Sequence, residues 1–197
     1  MDDKVINYFS RKAKNYNKRR QKGILGWWVG REKRIILELL NPIKGEMILD
    51  AGCGAGYYSL LIKNIGATPY GIDNSPKMIG EVRKSGIEAG IIDLEKFNLK
   101  IKFDKIICAG AIEFCKNIDD VILNLKAHLK EKGFLISSFP RKSLLGFAFF
   151  LFHLSHGIKI KLFGKKELER LLSEYKLNIL VYRKIGLVHC IKAQNID

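Results

Sequence analysis

The sequence holds few cysteines, and their spacing excludes the two roles for which cysteines are usually grouped. The four are Cys53, Cys108, Cys115 and Cys190, and no two of them form a C-x-x-C pair. Structural zinc sites and thiol redox motifs depend on such pairs. We therefore expect no metal site, and we expect small buried thiols in a reducing compartment.

Long apolar runs are also missing. The longest, residues 144–154, is about half of the ~20 residues that a membrane-spanning helix requires. The N-terminal residues Met1-Asp2-Asp3-Lys4 lack the apolar stretch of a signal peptide. With 197 residues and no repeat or low-complexity linker, the sequence predicts a cytoplasmic protein with one substantial core.

Acidic residues are scarce at the two ends of the chain but not in its middle. Residues 1–34 hold 11 basic and 3 acidic residues, residues 35–139 hold 13 of each, and residues 140–197 hold 11 and 4. The formal net charge of +15 therefore comes entirely from the flanks. Such flanks attract nucleic acid, anionic lipid or an acidic substrate, or they serve solubility without any partner.

The N-terminal flank has a helical pattern. Apolar residues recur every three to four positions over residues 3–22, which predicts an amphipathic helix. Gly23 and Gly26 are expected to interrupt it, and a second helix is predicted over residues 31–40, just before Pro42.

From residue 47 onward, short apolar strands alternate with helices. The predicted strands cover residues 47–49, 69–72, 87–92, 103–109 and 134–139. The predicted helices cover residues 57–64, 76–84 and 118–130. Ser75 is expected to cap the N-terminus of the second of these helices, and Gly133 the C-terminus of the third. This alternation indicates a parallel sheet with helices on both faces.

The regular pattern ends at Pro140. An insertion over residues 141–163 carries the apolar run, and a helix is predicted over 165–175. Two final strands, at about 177–183 and 187–193, are separated by three residues, and so short a link requires an antiparallel hairpin.

A glycine-rich loop follows the first strand, in the run Ile48-Leu49-Asp50-Ala51-Gly52-Cys53-Gly54-Ala55-Gly56. Its spacing is G-x-G-x-G, whereas dinucleotide-binding loops have G-x-G-x-x-G. Asp50 would repel a pyrophosphate but attract an ammonium or sulfonium group. Asp73, at the end of the second strand, is placed to accept hydrogen bonds from ribose hydroxyls. A cationic ligand with a ribose and no phosphate is therefore expected.

Four motifs in order resemble those of class I S-adenosylmethionine (SAM) dependent methyltransferases. They are Ile48–Gly56, Tyr70–Met78, Ile92–Leu94 and Phe103–Ala109. The resemblance covers about Asn41 to Ala193 apart from the insertion. It implies an α/β fold, a Rossmann-like three-layer sandwich whose mostly parallel seven-stranded sheet ends in an antiparallel hairpin. Residues 41–197 would form the SAM-binding domain, and residues 1–40 a helical cap over the active site.

The resemblance also implies a set of cofactor contacts, with S-adenosylhomocysteine as the product. The glycine loop would approach the methionine portion of SAM, Asp50 would hold its ammonium through water, and Asp73 would bind the ribose. Asn74 and Met78 would flank the adenine, although Met78 has core packing as an alternative. The implied residues are Asp50, Gly52, Cys53, Gly54, Gly56, Asp73, Asn74, Met78, Asp93, Leu94, Cys108 and Ala109.

Two segments bear on the methyl acceptor. The run Phe9-Ser10-Arg11-Lys12-Ala13-Lys14-Asn15-Tyr16 resembles the lead-in of small-molecule methyltransferases of quinone, tetrapyrrole and biotin-precursor synthesis. In that branch the segment folds over the cofactor and lines the acceptor pocket. The insertion 141–163 occupies the place of the family's acceptor cover. It is expected to be a lid for a lipophilic acceptor that touches an anionic membrane, or else a buried helix or a dimer contact.

Three functions remain open from the sequence. A small-molecule methyltransferase with a lipophilic or anionic acceptor is favoured, an RNA or protein methyltransferase would use the basic flanks, and a non-catalytic SAM-binding module is the third. A general base is useful for a phenol, enol or acid acceptor. The candidates are His153, His156, Tyr8, Tyr16 and Glu113, and the sequence does not single out any of them.

Overall fold

The computed structural model describes residues 2–15 and 23–197, with side chains described for residues 2–14 and 29–197. The helices are α1 (Asp3–Ser10), α2 (Gly23–Leu40), α3 (Tyr57–Ile65), α4 (Pro76–Lys84), α5 (Ile118–Ala127), α6 (Leu144–Leu154) and α7 (Lys165–Glu174). The strands are β1 (Met47–Ala51), β2 (Thr68–Asp73), β3 (Glu88–Ile91), β4 (Phe103–Ala109), β5 (Leu129–Pro140), β6 (Leu177–Ile185) and β7 (Val188–Asn195). Two short 3-10 turns lie at Ala13–Asn15 and Ile112–Phe114.

The seven strands form one sheet in the order β3-β2-β1-β4-β5-β7-β6. The pairs β1–β2, β1–β4, β2–β3 and β4–β5 are parallel. The last strand, β7, lies antiparallel between β5 and β6. The predicted fold class, a mostly parallel seven-stranded sheet that ends in an antiparallel hairpin, is confirmed.

Helices cover both faces of the sheet because successive strand residues point to opposite faces. In β4, Ile106 and Cys108 join a core cluster with residues of α5 and α7. The intervening Ile107 joins a second cluster with Ile36 and Leu40 of α2. The sheet is thus the middle of three layers, as a parallel sheet of continuous apolar strands requires.

The end of α5 differs from the prediction. The helix ends at Ala127, not at residue 130, and Gly133 lies inside β5 instead of capping the helix. The carbonyl of His128 accepts a hydrogen bond from the N–H of Phe103 at 2.8 Å, and Leu129 then pairs with Phe103. Because this partner lies far earlier in the chain, local sequence signals could not indicate it.

The N-terminal helices also differ from the prediction. The helix predicted over residues 3–22 ends at Ser10, and the rest of that range beyond residue 15, with Tyr16, lies outside the described residues. Helix α2 begins at Gly23 and continues through Gly26, so neither glycine separates it from the predicted segment 31–40. An interior glycine costs only about 1 kcal/mol, and burial of Ile36 and Leu40 against the sheet offsets it.

The insertion after β5 contains α6 and a returning segment that rejoins the sheet edge. The N–H of Phe163 donates to the carbonyl of Pro140 at 2.8 Å, and the N–H of Lys142 donates to the carbonyl of Phe163 at 2.9 Å. Over residues 2–15 and 23–197, no helix combines the length and the apolar character needed to cross a membrane.

Candidate functional site

The carboxyl ends of β1, β2 and β4 meet at one edge of the sheet, where open α/β folds bind their ligands. Loop residues Gly52, Gly54 and Gly56 follow β1, and all three have positive φ. A Cβ on Gly52 would lie 2.3 Å from the Cβ of Ala111, closer than real atoms approach. Only glycine therefore permits this loop to pass so close to the segment after β4.

Asp73, at the end of β2, is bonded to the glycine loop. One carboxylate oxygen, Oδ2, accepts a hydrogen bond from the N–H of Gly54 at 3.0 Å. The other, Oδ1, accepts from the N–H of Ser75 at 2.8 Å. Burial raises the pKa of Asp73, and these two donors oppose the rise. The carboxylate is thereby held in one orientation at the edge of the sheet.

Asp50, in β1, lies beneath the same loop. Its side chain is only 2% exposed. The Oδ2 atom accepts hydrogen bonds from both the N–H and the hydroxyl of Ser59, in the first turn of α3. Burial raises the pKa of Asp50 to about 6, although the Ser59 donors oppose the rise. A cation placed near the loop would stabilise the ionised form of this carboxylate.

A small cavity opens between these strand ends and helix α1. Its lining combines polar and apolar residues. The polar residues and glycines are Gly52, Gly54, Asp73, Asn74, Ser75 and Gly110. The apolar residues are Val5, Ile6, Phe9, Met78, Leu94, Ala111 and Phe114.

Helix α1 closes the cavity from above. The hydroxyls of Ser10 and Ser75 lie 2.7 Å apart, and the ring centroids of Phe9 and Phe114 lie 5.1 Å apart. The enclosed volume is about 50 Å³, whereas ligand pockets typically measure about 300–1,000 Å³. A ligand of cofactor size therefore requires α1 or its side chains to withdraw.

Half of the sequence-predicted cofactor residues line this cavity, and they come from three separate segments. They are Gly52, Gly54, Asp73, Asn74, Met78 and Leu94. The other half lie outside its lining. They are Asp50, Cys53, Gly56, Asp93, Cys108 and Ala109.

The residues outside the lining have other identifiable contacts. The side chain of Cys53 packs in a cluster with Ile79 and Ala89. Cys108 is fully buried in β4, and its carbonyl accepts a hydrogen bond from the hydroxyl of Ser137 at 2.6 Å. Asp93 accepts a hydrogen bond from the N–H of Glu95 at 2.9 Å.

The sequence did not indicate that Ser75, Gly110 and Ala111 line the cavity. It predicts Ser75 only as a helix cap, and the structure confirms the cap, since the Ser75 hydroxyl accepts a hydrogen bond from the N–H of Met78 at 3.3 Å. Gly110 and Ala111 follow β4, and Gly110 has a φ of +71°. The run of small residues at the end of β4 was the available signal, because small side chains allow a ligand to approach the backbone.

The candidate bases Tyr8, Glu113, His153 and His156 lie in the part of the chain that the structure describes, and none of them lines the cavity. His153 is 5% exposed, and its ring lies 5.3 Å from that of Phe114 and 6.2 Å from that of Tyr8. His156 is exposed, with Nδ1 2.9 Å from the carbonyl of Phe152. Glu113 is buried in the 3-10 turn after β4, and Tyr16 lies outside the described residues.

The cysteines are free thiols, and all four are buried. Burial raises the pKa of each thiol above its ordinary value. Because the thiolate is the nucleophilic form, these side chains are inert at neutral pH.

Comparison with known proteins agrees with this arrangement. Residues 16–181 match the methyltransferase domain family. A ubiquinone biosynthesis O-methyltransferase from Actinobacillus pleuropneumoniae is 26% identical over 175 residues, which cover 77% of this chain and 75% of that protein. A malonyl-[acyl-carrier protein] O-methyltransferase from Acetivibrio thermocellus is 29% identical over 150 residues, covering 70% of this chain and 50% of that protein.

Solved structures share the fold over nearly the whole chain. Magnesium protoporphyrin IX methyltransferase from Synechocystis, with bound S-adenosylhomocysteine, has a TM-score of 0.78 at 21% identity and covers 97% of this chain and 98% of that one. An N-methyltransferase from Bradyrhizobium japonicum, also with S-adenosylhomocysteine, has a TM-score of 0.78 at 17% identity and covers both chains fully. With its glycine loop and strand-end carboxylates in the arrangement described above, this chain belongs to the methyltransferase domain family and is a SAM-dependent methyltransferase.

Proposed function

We propose that this enzyme methylates a small lipophilic acceptor, with cofactor and acceptor held end to end in the cavity beneath α1. The observation that carries the proposal is the mixed lining of this cavity, which combines the polar side chains of Asp73 and Asn74 with the aromatic rings of Phe9 and Phe114. A polar, charged cofactor and an apolar acceptor would each find matching residues there.

The cofactor end fits SAM by its chemistry. The glycine loop leaves its backbone accessible, Asp73 offers carboxylate oxygens to ribose hydroxyls, and Asp50 supplies a negative charge beneath the loop. The buried apolar side chains of Met78 and Leu94 provide a surface against which a flat ring can pack. When bound, SAM supplies an activated sulfonium methyl group for an in-line displacement.

Residues of this chain would promote the reaction chiefly by positioning. Holding two reactants in a near-attack geometry contributes on the order of 7 kcal/mol or more. Phe9 and Phe114, packed edge to face, would exclude water from the acceptor end and limit the orientations of the acceptor. The ring of His153 contacts the ring of Phe114 but does not line the cavity. We therefore assign His153 a positioning role rather than that of general base.

The helical cap is proposed to be mainly α1. Its residues Val5, Ile6 and Phe9 line the cavity, whereas α2 packs against the sheet through Ile36 and Leu40. An opening and closing α1 would admit the cofactor and then exclude water, as active-site lids do.

The names of the relatives support a small and often lipophilic acceptor. Ubiquinone biosynthesis and magnesium protoporphyrin IX methylation, the activities named for two of the similar proteins, both concern small organic molecules with extensive apolar parts. The basic flanks favour RNA or protein as the second candidate acceptor, because such charge attracts polyanions.

Methyl-labelled SAM, incubated with the enzyme and a cell extract divided into lipid, RNA, protein and small-metabolite fractions, tests the proposal. Label is expected in the lipid or small-metabolite fraction. Label in RNA, with binding that falls steeply as salt rises, or in protein would overturn the proposed acceptor. Measurable SAM binding without label in any fraction would favour a non-catalytic module.

Two variants separate the two ends of the cavity. Phe114→Leu is expected to raise the KM for the acceptor while the Kd for SAM changes less than about twofold, since an apolar side chain is retained. Asp73→Asn is expected to raise the Kd for SAM. Equal effects of both variants on SAM binding would contradict the end-to-end arrangement.

A further inference from the structure

Helix α6 presents an apolar surface to solvent. Between Lys142 and Lys159 the sequence has no charged residue. Six large apolar side chains of α6 are between 47% and 87% exposed. They are Leu144, Leu145, Phe147, Leu151, Phe152 and Leu154. Contiguous exposed apolar patches of this kind mark interaction surfaces.

The opposite face of α6 packs against the protein, which fixes the outward direction of the exposed face. Gly146 and His153 are buried, and Phe149 and Phe150 pack against a cluster that includes Val5. A Cβ on Gly146 would lie 1.9 Å from the carbonyl oxygen of Arg141. Because this side of the helix is packed so closely, its exposed leucines and phenylalanines face away from the protein.

Basic side chains surround the two ends of this helix. Lys142 is 60% exposed even though it pairs with Glu167. Beyond the C-terminal end, Lys159 and Lys161 are exposed. The ammonium nitrogen of Lys12 lies 3.5 Å from the centre of the Tyr8 ring. Tyr8 in turn contacts His156 just past the end of α6, with a ring separation of 5.4 Å.

We propose that the exposed face of α6 docks on the surface of an anionic lipid bilayer. A helix with an apolar face and basic neighbours lies in the membrane interface with its apolar side chains buried among the lipids, and anionic headgroups attract the lysines. The membrane is contacted on one side only, consistent with a helix too short to span it.

A second copy of this chain is a weaker occupant of the same face. Two copies meeting through α6 would bring their lysines together, and like charges repel. Eleven helical residues form a face only about 16 Å long and about 10 Å wide, while a stable interface buries roughly 800 Å² on each partner.

Docking at α6 would place the acceptor end of the cavity beside the bilayer, an interpretation that rests on the proposed function. Phe114 lines the cavity and contacts His153 at 5.3 Å between ring centres. His153 contacts the exposed Phe152 at 5.5 Å. Two side-chain layers thus separate the cavity from the docking face, so docking would bring the bilayer close to the cavity that is proposed to hold the acceptor.

Co-sedimentation with vesicles tests the docking surface. The full chain, without SAM or acceptor, is mixed with vesicles of phosphatidylcholine alone or of phosphatidylcholine with phosphatidylglycerol. We expect binding to the mixed vesicles and at least tenfold weaker binding by the triple variant Leu145→Ser, Phe147→Ser, Leu151→Ser. The matched control, Leu60→Ser, Leu123→Ser, Leu180→Ser, removes equally exposed apolar side chains elsewhere and should bind like the original chain.

Three outcomes would overturn the proposal. They are unchanged vesicle binding by the α6 variant, equal binding to both kinds of vesicle, and a dimer in vesicle-free sedimentation that the α6 variant abolishes.

Circular dichroism and SAM calorimetry on each variant report whether it is folded. If an α6 variant were misfolded, Lys159→Gln with Lys161→Gln provides a second test, with an expected loss of binding to the mixed vesicles alone. Because vesicle binding is measured without cofactor, failure of the proposed methylation would leave its result unaffected.

Discussion

The carboxylate of Asp73 accepts a hydrogen bond from the backbone N–H of Gly54 at 3.0 Å, which joins the end of β2 to the glycine loop after β1. Any change at Asp73 therefore alters both a candidate ribose contact and the shape of the loop. The two effects can be separated by choosing the substitution.

Asp73→Ala is expected to raise the Kd for SAM about 10- to 100-fold, because a hydrogen bond to a charged group contributes about 1.5–3 kcal/mol. Asp73→Asn retains an oxygen for the Gly54 N–H and should cost less. Isothermal calorimetry measures both Kd values. Asp104→Asn serves as the control. Asp104, at the start of β4, accepts hydrogen bonds from the N–H of Met47 and from the ammonium group of Lys130, and it does not line the cavity. A comparable loss in this control would argue against a specific role of Asp73.

The buried carboxyl group of Asp50 should make the stability of the folded protein depend on pH. Its pKa is raised from 3.8 to about 6 by burial, so between these values the folded state binds more protons than the unfolded state. The free energy of unfolding should therefore fall as pH rises through this window and level off above it. The resulting penalty on the free energy of unfolding at neutral pH is about 3 kcal/mol.

Asp50→Asn should remove that penalty and weaken SAM binding, because the negative charge beneath the loop is lost. Urea unfolding of both proteins across the window measures the difference between their stabilities. If that difference did not change with pH, Asp50 would not titrate as described.

A side chain at position 52 should disrupt the glycine loop through a steric clash. Gly52→Ala places a Cβ 2.3 Å from that of Ala111 at a φ of +72°, so the loop or the segment after β4 must shift. SAM binding should become undetectable, and thermal unfolding should occur at a lower temperature. Gly80→Ala is the matched control, because its Cβ would meet nothing within 4 Å in the interior of α4. That control should raise stability by about 0.5–1 kcal/mol, and a loss of SAM binding there would contradict the steric argument.

The buried ring of His189, in the terminal hairpin, should make the protein less stable at acidic pH. Its Nδ1 accepts a hydrogen bond from the Tyr182 hydroxyl at 2.8 Å, and its Nε2 donates to the carbonyl of Phe163 at 3.0 Å. Burial lowers its pKa below the ordinary 6.5, because the ring is held neutral. The unfolded chain gains a proton first as pH falls, so stability present above about 6.5 is lost on acidification.

Replacing His189 with Gln should reduce this acid sensitivity, which thermal unfolding over the range below neutral pH would measure. His156→Gln is the control, since His156 is exposed at the end of α6. Equal loss of acid sensitivity in both variants would show that the His189 contacts are not its cause.

Local chemistry explains which elements could be predicted. Ser75 followed by Pro76 predicted the start of α4, and the structure confirms both the cap and the helix to Lys84. A cap and a proline at the first helical position act within one turn. By contrast, the end of α5 depends on pairing of Leu129 with Phe103, which no local signal near residue 129 reveals.

The glycine loop, the position of Asp73 at a strand end and the final antiparallel hairpin were determined by the sequence itself, because turn chemistry, strand ends and a short link between two strands depend on neighbouring residues. Only the tertiary structure decided that Val5 and Phe9 meet Phe114 over the cavity, and that α6 exposes one apolar face while burying the other. The physical reason is that these contacts join distant parts of the chain. An apolar side chain carries no information about whether it will face a core, a ligand or a membrane.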